Sequence, residues 1–267
     1  MANTSHGPRS GEAPTQHRGR VDRVGVLSDV HGNVPALEAV LAEVDGYDVD
    51  VLVFCGDLSW GAEPGRTVNI VRRLGPRAVF VRGNADRAVV ELARGLGAQE
   101  RPREEWMLAQ HSAASVQLLA DFPHSAVVDV TWPGPVRFCH GSPRSDTELV
   151  TPGTPVERLA ELARLIPEKT LVTGHTHLQF DRTAAGLRSI NAGSVGLPYH
   201  DGPPGIAYWA TFGPDVHLRQ TNYDVNESLR RSVASGDPGT DAITELLSFP
   251  PTVAEVIEHA AGLVFSD

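Results

Sequence analysis

The chain has 267 residues, a formal net charge of −10 at pH 7, 41% hydrophobic residues and 21% charged residues. That length can bury one large core or two small ones, and the composition is ordinary for a globular protein. The acidic balance argues against a sequence-independent grip on nucleic acid, which needs clustered Lys and Arg. No apolar run approaches the ~20 residues that span a bilayer. Residues 1–20 lack the apolar core of a secretory signal, which points to the cytoplasm. Cys55 and Cys139 sit near the ends of apolar runs, where a free thiol serves as a small hydrophobe. Two thiols make no disulfide framework.

Taken in chain order, residues 1–20 offer almost nothing to bury and predict a disordered tail holding His6 and His17. From Val21 the pattern alternates strand, loop and helix. The apolar run Val24-Gly25-Val26-Leu27 enters the turn Ser28-Asp29-Val30-His31-Gly32-Asn33, and residues 35–43 read as a helix. Residues 49–55 are a nearly continuous apolar strand, as expected where both faces are covered, and they end in Gly56-Asp57. A helix over 67–74 follows, then a strand over 78–81 ending in Arg82-Gly83-Asn84-Ala85-Asp86, then a helix over 87–96. A charged loop over 101–105 leads to a helix over 106–119.

Strands over 126–131 and 136–139 flank the turn Trp132-Pro133-Gly134-Pro135, and the second ends in His140-Gly141-Ser142-Pro143. A helix over 156–165 has Thr154 as cap and Pro155 in its first turn. The strand over 170–173 runs into Gly174-His175-Thr176-His177. Residues 187–220 read as short antiparallel strands with Asn191-Ala192-Gly193-Ser194 between two of them. The expectation is an α/β protein, a four-layer αββα sandwich of two mixed β-sheets flanked by helices. Its divisions are the tail over 1–20, one domain over 21–225, and a helical extension over 226–267 packed on the core. No internal repeat is visible.

Asp29, His31, Asp57, Asn84, His140, His175 and His177 all terminate strands. Ligands of open α/β sheets gather beyond the carboxyl ends of strands, so donors from five loops can converge there. Imidazoles and carboxylates suit Zn, Mn, Fe or Ni, and an amide oxygen can complete a shell. Singly, Asp29 or Asp57 reads equally as a helix cap, Asn84 as a turn residue, and His140 as a core histidine. Gly-His-Thr-His is more specific, since two imidazoles at i and i+2 rarely serve packing. The ordered set points to a pair of divalent ions.

That order, Asp-x-His, Gly-Asp, Gly-Asn, His-Gly and Gly-His-x-His, resembles the calcineurin-like metallophosphoesterase superfamily over residues 24–177. Asn191-Ala192-Gly193-Ser194-Val195-Gly196 is also similar to the closing segment of its small bacterial and archaeal phosphodiesterase branch. The resemblance implies two divalent metal ions, drawn from Mn²⁺, Fe²⁺ or Fe³⁺, Ni²⁺ and Zn²⁺. Asp29, His31 and His177 would hold the first, Asn84, His140 and His175 the second, and Asp57 would bridge them. It implies a phosphodiesterase in which Asp57, Asn84, His31 and His140 serve catalysis. Ions ~3.5–4 Å apart would clamp the phosphoryl oxygens and activate a shared water for in-line attack.

Many members carry His directly after the motif asparagine, where this chain has Ala85 and then Asp86. Weak general-acid assistance follows, favouring leaving groups that depart readily as anions. His111 and His200 are the candidate replacement donors, and Asp86 reads as a helix cap. Arg87 and Arg144 could each grip a substrate phosphate or equally pair with an acidic neighbour, and Asn33 is either a phosphate contact or a turn residue. The expected partner is a small-molecule phosphate ester, without nucleic acid or membrane, and a homo-oligomer is left open. Substrate choice falls to the loops over 60–66 and 100–111. A phosphomonoesterase acting on a nucleotide or sugar phosphate is the nearest alternative. A phosphoserine phosphatase fits Ala85 poorly. A non-catalytic scaffold on the same fold would be expected to lose ligands, and all seven are present.

Overall fold

A computed structural model describes residues 15–96 and 102–263. The chain runs β1 (Thr15–Val21), β2 (Val24–Leu27), α1 (Val34–Val44), β3 (Val51–Phe54), α2 (Pro64–Arg72), β4 (Ala78–Phe80), α3 (Asn84–Ala93), α4 (Pro102–Ala109) and α5 (Ala113–Ala120). It continues through β5 (Ser125–Val130), β6 (Gly134–Cys139), α6 (Val156–Leu165), β7 (Thr170–Thr173), β8 (Gln179–Ala184), β9 (Leu187–Ala192), β10 (Ile206–Phe212) and β11 (His217–Asn222). The helices α7 (Val225–Ser235), α8 (Thr240–Ser248) and α9 (Val253–Ala261) follow.

Two mixed sheets form, one ordered β1-β5-β6-β7-β9-β8 and the other β11-β10-β2-β3-β4. Alternation along single strands builds three apolar layers. Val24 and Val26 of β2 and Val51 and Val53 of β3 point between the sheets, where they meet Val128, Phe138, Val172 and Ile190. Leu27, Leu52 and Phe54, on the opposite face of the same strands, pack under Leu37 and Val40 of α1, Val68 of α2 and Val89 of α3. On the far side, Leu171 and Leu187 pack under Leu159 and Leu162 of α6 and Val256 of α9. The layers are therefore helix, sheet, sheet, helix, as the alternating pattern predicts. Each large side chain buried in them contributes roughly 1.5–3 kcal/mol.

Several local expectations give way. The tail expected over 1–20 is strand β1 from Thr15 onward, paired in parallel with β5. It is a sheet edge, largely exposed and bearing Arg18 and Arg20, and such charged edges are how sheets avoid further pairing. The rest of that expected tail, with His6, lies outside the described residues. The helix expected over 106–119 is two helices, because Ser112 caps α5 by accepting from Ser115 N at 3.1 Å. The charged loop expected over 101–105 lies largely within α4. Helix α3 starts at Asn84 rather than Arg87. Thr154 does not cap α6; its hydroxyl accepts from Thr151 N at 2.8 Å, and Pro155 takes the cap position.

Of the antiparallel strands expected over 187–220, β10 and β11 pair with each other, but β9 belongs to a different sheet. Strand β9 lies between β7 and β8, while β10 joins β2 in the other sheet. The Asn191-Ala192-Gly193-Ser194 segment is thus the crossing between sheets. Helix α7 packs against α1. No described helix is long and apolar enough to cross a membrane.

Candidate metal centre

The turns after β2, β3, β4, β6 and β7 deliver the expected residues to one place. Asp29, His31 and His177 place one donor atom each within 4.8 Å of one another, and so do Asp57, His140 and His175. Asn84 joins the second group, its Oδ1 lying 2.9 Å from His140 Nε2. All seven positions therefore converge. Five of them, Asp29, His31, Asp57, His175 and His177, hold positive φ between 47° and 64°. Such backbone costs free energy for residues bearing a Cβ and gathers at functional sites.

Neighbouring turns hold this geometry in place. His31 N donates to Asp57 O at 3.0 Å. The Asp29 carboxylate accepts from Ser28 Oγ at 2.5 Å and from His175 N at 3.1 Å. Gly83 is required because a Cβ there would collide with the Asp57 carboxylate and amide. Asp86, expected only as a helix cap, is fully buried and accepts from the backbone N–H of Asp57, Leu58, Ser59 and Gly83 at 2.9–3.1 Å. In return Ala85 N donates to Asp57 Oδ1 at 2.9 Å. The first turn of α3 and the Asp57 loop form one locked unit.

Three imidazoles are oriented from behind by backbone carbonyls. Nδ1 of His31, His140 and His177 lies 3.0, 2.7 and 2.6 Å from the carbonyls of Trp60, Cys55 and Leu197. A carbonyl only accepts, so each Nδ1 carries a proton, which leaves Nε2 of His31 and of His177 to turn a lone pair inward. Nε2 of His31 and His177 then face each other at 3.2 Å. Two lone pairs so close are an arrangement that a cation relieves. The residues present therefore fit a pair of divalent ions.

Asp57 sits between the two groups. Its Oδ2 lies 3.6 Å from His31 Nε2 and 3.4 Å from His140 Nε2. Burial pushes the Asp57 carboxyl up, but His140, and after it His31 and His175, hold it below the usual carboxylate range. Burial likewise works against Asp29, and His177 overcomes it. His140 is raised to about 10, because Asp57 and Asp29 outweigh its burial. His175 falls to about 4 through burial and the adjacent His140. Asp86 rises to about 6 through burial and the Asp57 charge, against the N–H bonds it receives.

The expected substrate contacts other than His111 have partners within the protein. Arg87 grips buried Asp146 at 2.7 Å and pairs with Glu91, and Arg144 pairs with Glu148 at 2.9 Å. The Asn33 amide caps α1 and bonds Gly196 O, Tyr223 Oη and Ser228 Oγ. His200 accepts from Gly202 N at 3.0 Å. His111 is buried between α4 and α5 with neither ring nitrogen hydrogen-bonded. Both cysteines are free and buried, as expected, and burial pushes the Cys139 thiol up to about 12. Sequence reasoning missed Trp60 and Leu197, which act through carbonyls that any residue has. It also missed Tyr199, whose ring stacks on His177 with centroids 4.6 Å apart.

Fold and site together define a two-sheet α/β protein with adjacent imidazole and carboxylate groups suited to two divalent ions. The calcineurin-like phosphoesterase superfamily domain matches residues 23–211, and the chain belongs to that family. It is accordingly a metal-dependent phosphoric ester hydrolase. A metallophosphoesterase from Sphaerobacter thermophilus is similar at 25% identity and TM-score 0.67, over 88% of this chain and 99% of that one. The hypothetical protein PH1004 from Pyrococcus horikoshii OT3 shares the fold at 17% identity and TM-score 0.71, over 86% of this chain and 99% of that one. A putative diadenosine tetraphosphatase shares it at 20% identity and TM-score 0.56, over 79% and 99%. No curated protein matches the sequence.

Proposed function

We propose that this protein is a two-metal phosphodiesterase acting on a small phosphorylated molecule. The observation that carries the reading is the shared carboxylate oxygen of Asp57, 3.6 Å from His31 Nε2 and 3.4 Å from His140 Nε2. Asp29, His31 and His177 would hold one ion and Asn84, His140 and His175 the other, with Asp57 common to both. When bound, such a pair supplies Lewis acidity toward a phosphoryl group and lowers the pKa of water. The chain's own part is positioning. Carbonyls behind His31, His140 and His177 fix their rings, Ala85 N–H fixes Asp57, and Ser28 with His175 N–H fixes Asp29.

Preference for a diester rests on Ala85, a methyl where many relatives place an imidazole that can protonate the leaving oxygen. Without that donor, leaving groups that depart as stable anions are favoured. The test is hydrolysis of bis-p-nitrophenyl phosphate against p-nitrophenyl phosphate with Mn²⁺, in wild type and Asp57→Asn. Diester turnover exceeding monoester turnover and vanishing in the variant supports the proposal. Monoester preference overturns the diester assignment, and turnover that survives Asp57→Asn overturns the shared carboxylate.

A further inference from the structure

The family match ends at residue 211, yet α7 and α8, beyond it, stand directly behind the first group of ligands. His177 Nδ1 donates to Leu197 O at 2.6 Å, so the aim of its Nε2 lone pair follows the position of the Leu197 peptide. Leu197 ends a short segment, residues 194–197, held from both sides. Toward the site, Ser194 Oγ and Gly196 N donate to Asp29 O at 2.8 and 3.0 Å. Away from it, the buried Leu197 side chain packs with Ile243 and Leu247 of α8 and with Val225 and Leu229 of α7. Asn33 ties the same segment to α7: its Nδ2 donates to Gly196 O at 2.8 Å and its Oδ1 accepts from Ser228 Oγ at 2.7 Å.

The space among His31, Leu197, Ser228, Ile243 and Leu247 is about 10 Å³, no more than one water fills. A closely packed interior passes displacement on rather than absorbing it. Arg231 of α7 also pairs with Glu63 at 3.2 Å, on the loop whose Trp60 carbonyl orients His31.

We infer that α7 and α8 are positioning elements of the metal centre, fixing the Leu197 carbonyl and through it the His177 ring. The inference rests on the two-metal reading proposed above. Leu247 and Ser228 touch no reacting group; they act through Leu197 and Asn33.

The experiment compares Leu247→Ala with Leu159→Ala in the full chain. Both truncate a buried leucine, but Leu159 lies in the separate core under α6. Mn²⁺ binding is titrated calorimetrically, kcat and KM are measured on bis-p-nitrophenyl phosphate, and thermal unfolding is followed for each. Leu247→Ala is expected to weaken one of two Mn²⁺ sites about 10-fold, as supports behind metal ligands do, and to lower kcat with KM little changed. Leu159→Ala is expected to lose stability while keeping both sites. Wild-type Mn²⁺ affinity in Leu247→Ala, or equal weakening in both variants, overturns the inference. Should Leu247→Ala fail to fold, Ser228→Ala takes its place, and unchanged Mn²⁺ affinity there overturns it. Fewer than two Mn²⁺ bound by wild type defeats the two-metal reading itself, a result distinct from either.

Discussion

Asp86 offers the sharpest check on how the site is held. Its carboxylate, fully buried, accepts four backbone N–H groups, three of them from the turn that carries Asp57. Asp86→Ala leaves all four donors without their acceptor. An unsatisfied buried donor costs about 1–3 kcal/mol, and water entering the vacated volume recovers part of the sum, so a net loss of roughly 4 kcal/mol is expected. Asp86→Asn keeps the shape and one acceptor oxygen but turns an amide NH₂ toward the remaining donors, for roughly 2–3 kcal/mol. Urea unfolding of wild type and both variants measures these losses. In Asp86→Asn, kcat on bis-p-nitrophenyl phosphate should also fall about 10–100-fold, because the turn presenting Asp57 loses its anchor. Asp86→Asn within about 0.5 kcal/mol of wild type and with wild-type kcat would refute the reasoning.

Two further expectations follow from particular residues. His111 is pushed down to about 4 by burial, from an ordinary 6.5. It is therefore neutral when folded and protonated when unfolded between those values, so stability falls as pH drops from 6.5 toward 4 and is flat above 6.5 on its account. The drop amounts to roughly 3 kcal/mol at most. Between pH 7.5 and pH 5 about 1.5 units of that span are crossed, so in His111→Phe the loss of stability should shrink by roughly 2 kcal/mol, and an unchanged loss in urea unfolding would contradict the assignment. Gly83→Ala places a methyl against the Asp57 carboxylate and amide. Displacing a catalytic group by ~1 Å can cost about 100-fold, so kcat should fall by that order, whereas wild-type kcat would show that the contact is tolerated.

The residues of the centre were legible because metal chemistry demands imidazoles and carboxylates, and glycine-rich turns at strand ends place them. Layering was legible because residues 49–55 are apolar at nearly every position, the mark of a strand covered on both faces, and because helices alternate with strands along the chain. Strand β1 was not, since it buries almost nothing and its order comes from pairing with β5. The break between α4 and α5 was marked only by Ser112, a weak signal within an apolar spacing that runs on. Arg87 is engaged by Asp146, 59 residues away, a contact only tertiary folding sets, whereas Arg144 pairs with Glu148 four residues on, the local pairing with an acidic neighbour that the sequence allows. The carbonyls of Trp60, Cys55 and Leu197 carry no sequence signal at all. Only the folded chain shows that the C-terminal helices lie behind one of them.

The most direct measurement is the number of Mn²⁺ ions bound per chain, by calorimetric titration of the metal-stripped protein, in wild type and in Asp57→Asn. The account predicts two ions in wild type, held cooperatively by groups that share one carboxylate, and at most one tightly bound ion in the variant. A single ion in wild type, or two ions bound equally well without the Asp57 carboxylate, would contradict it.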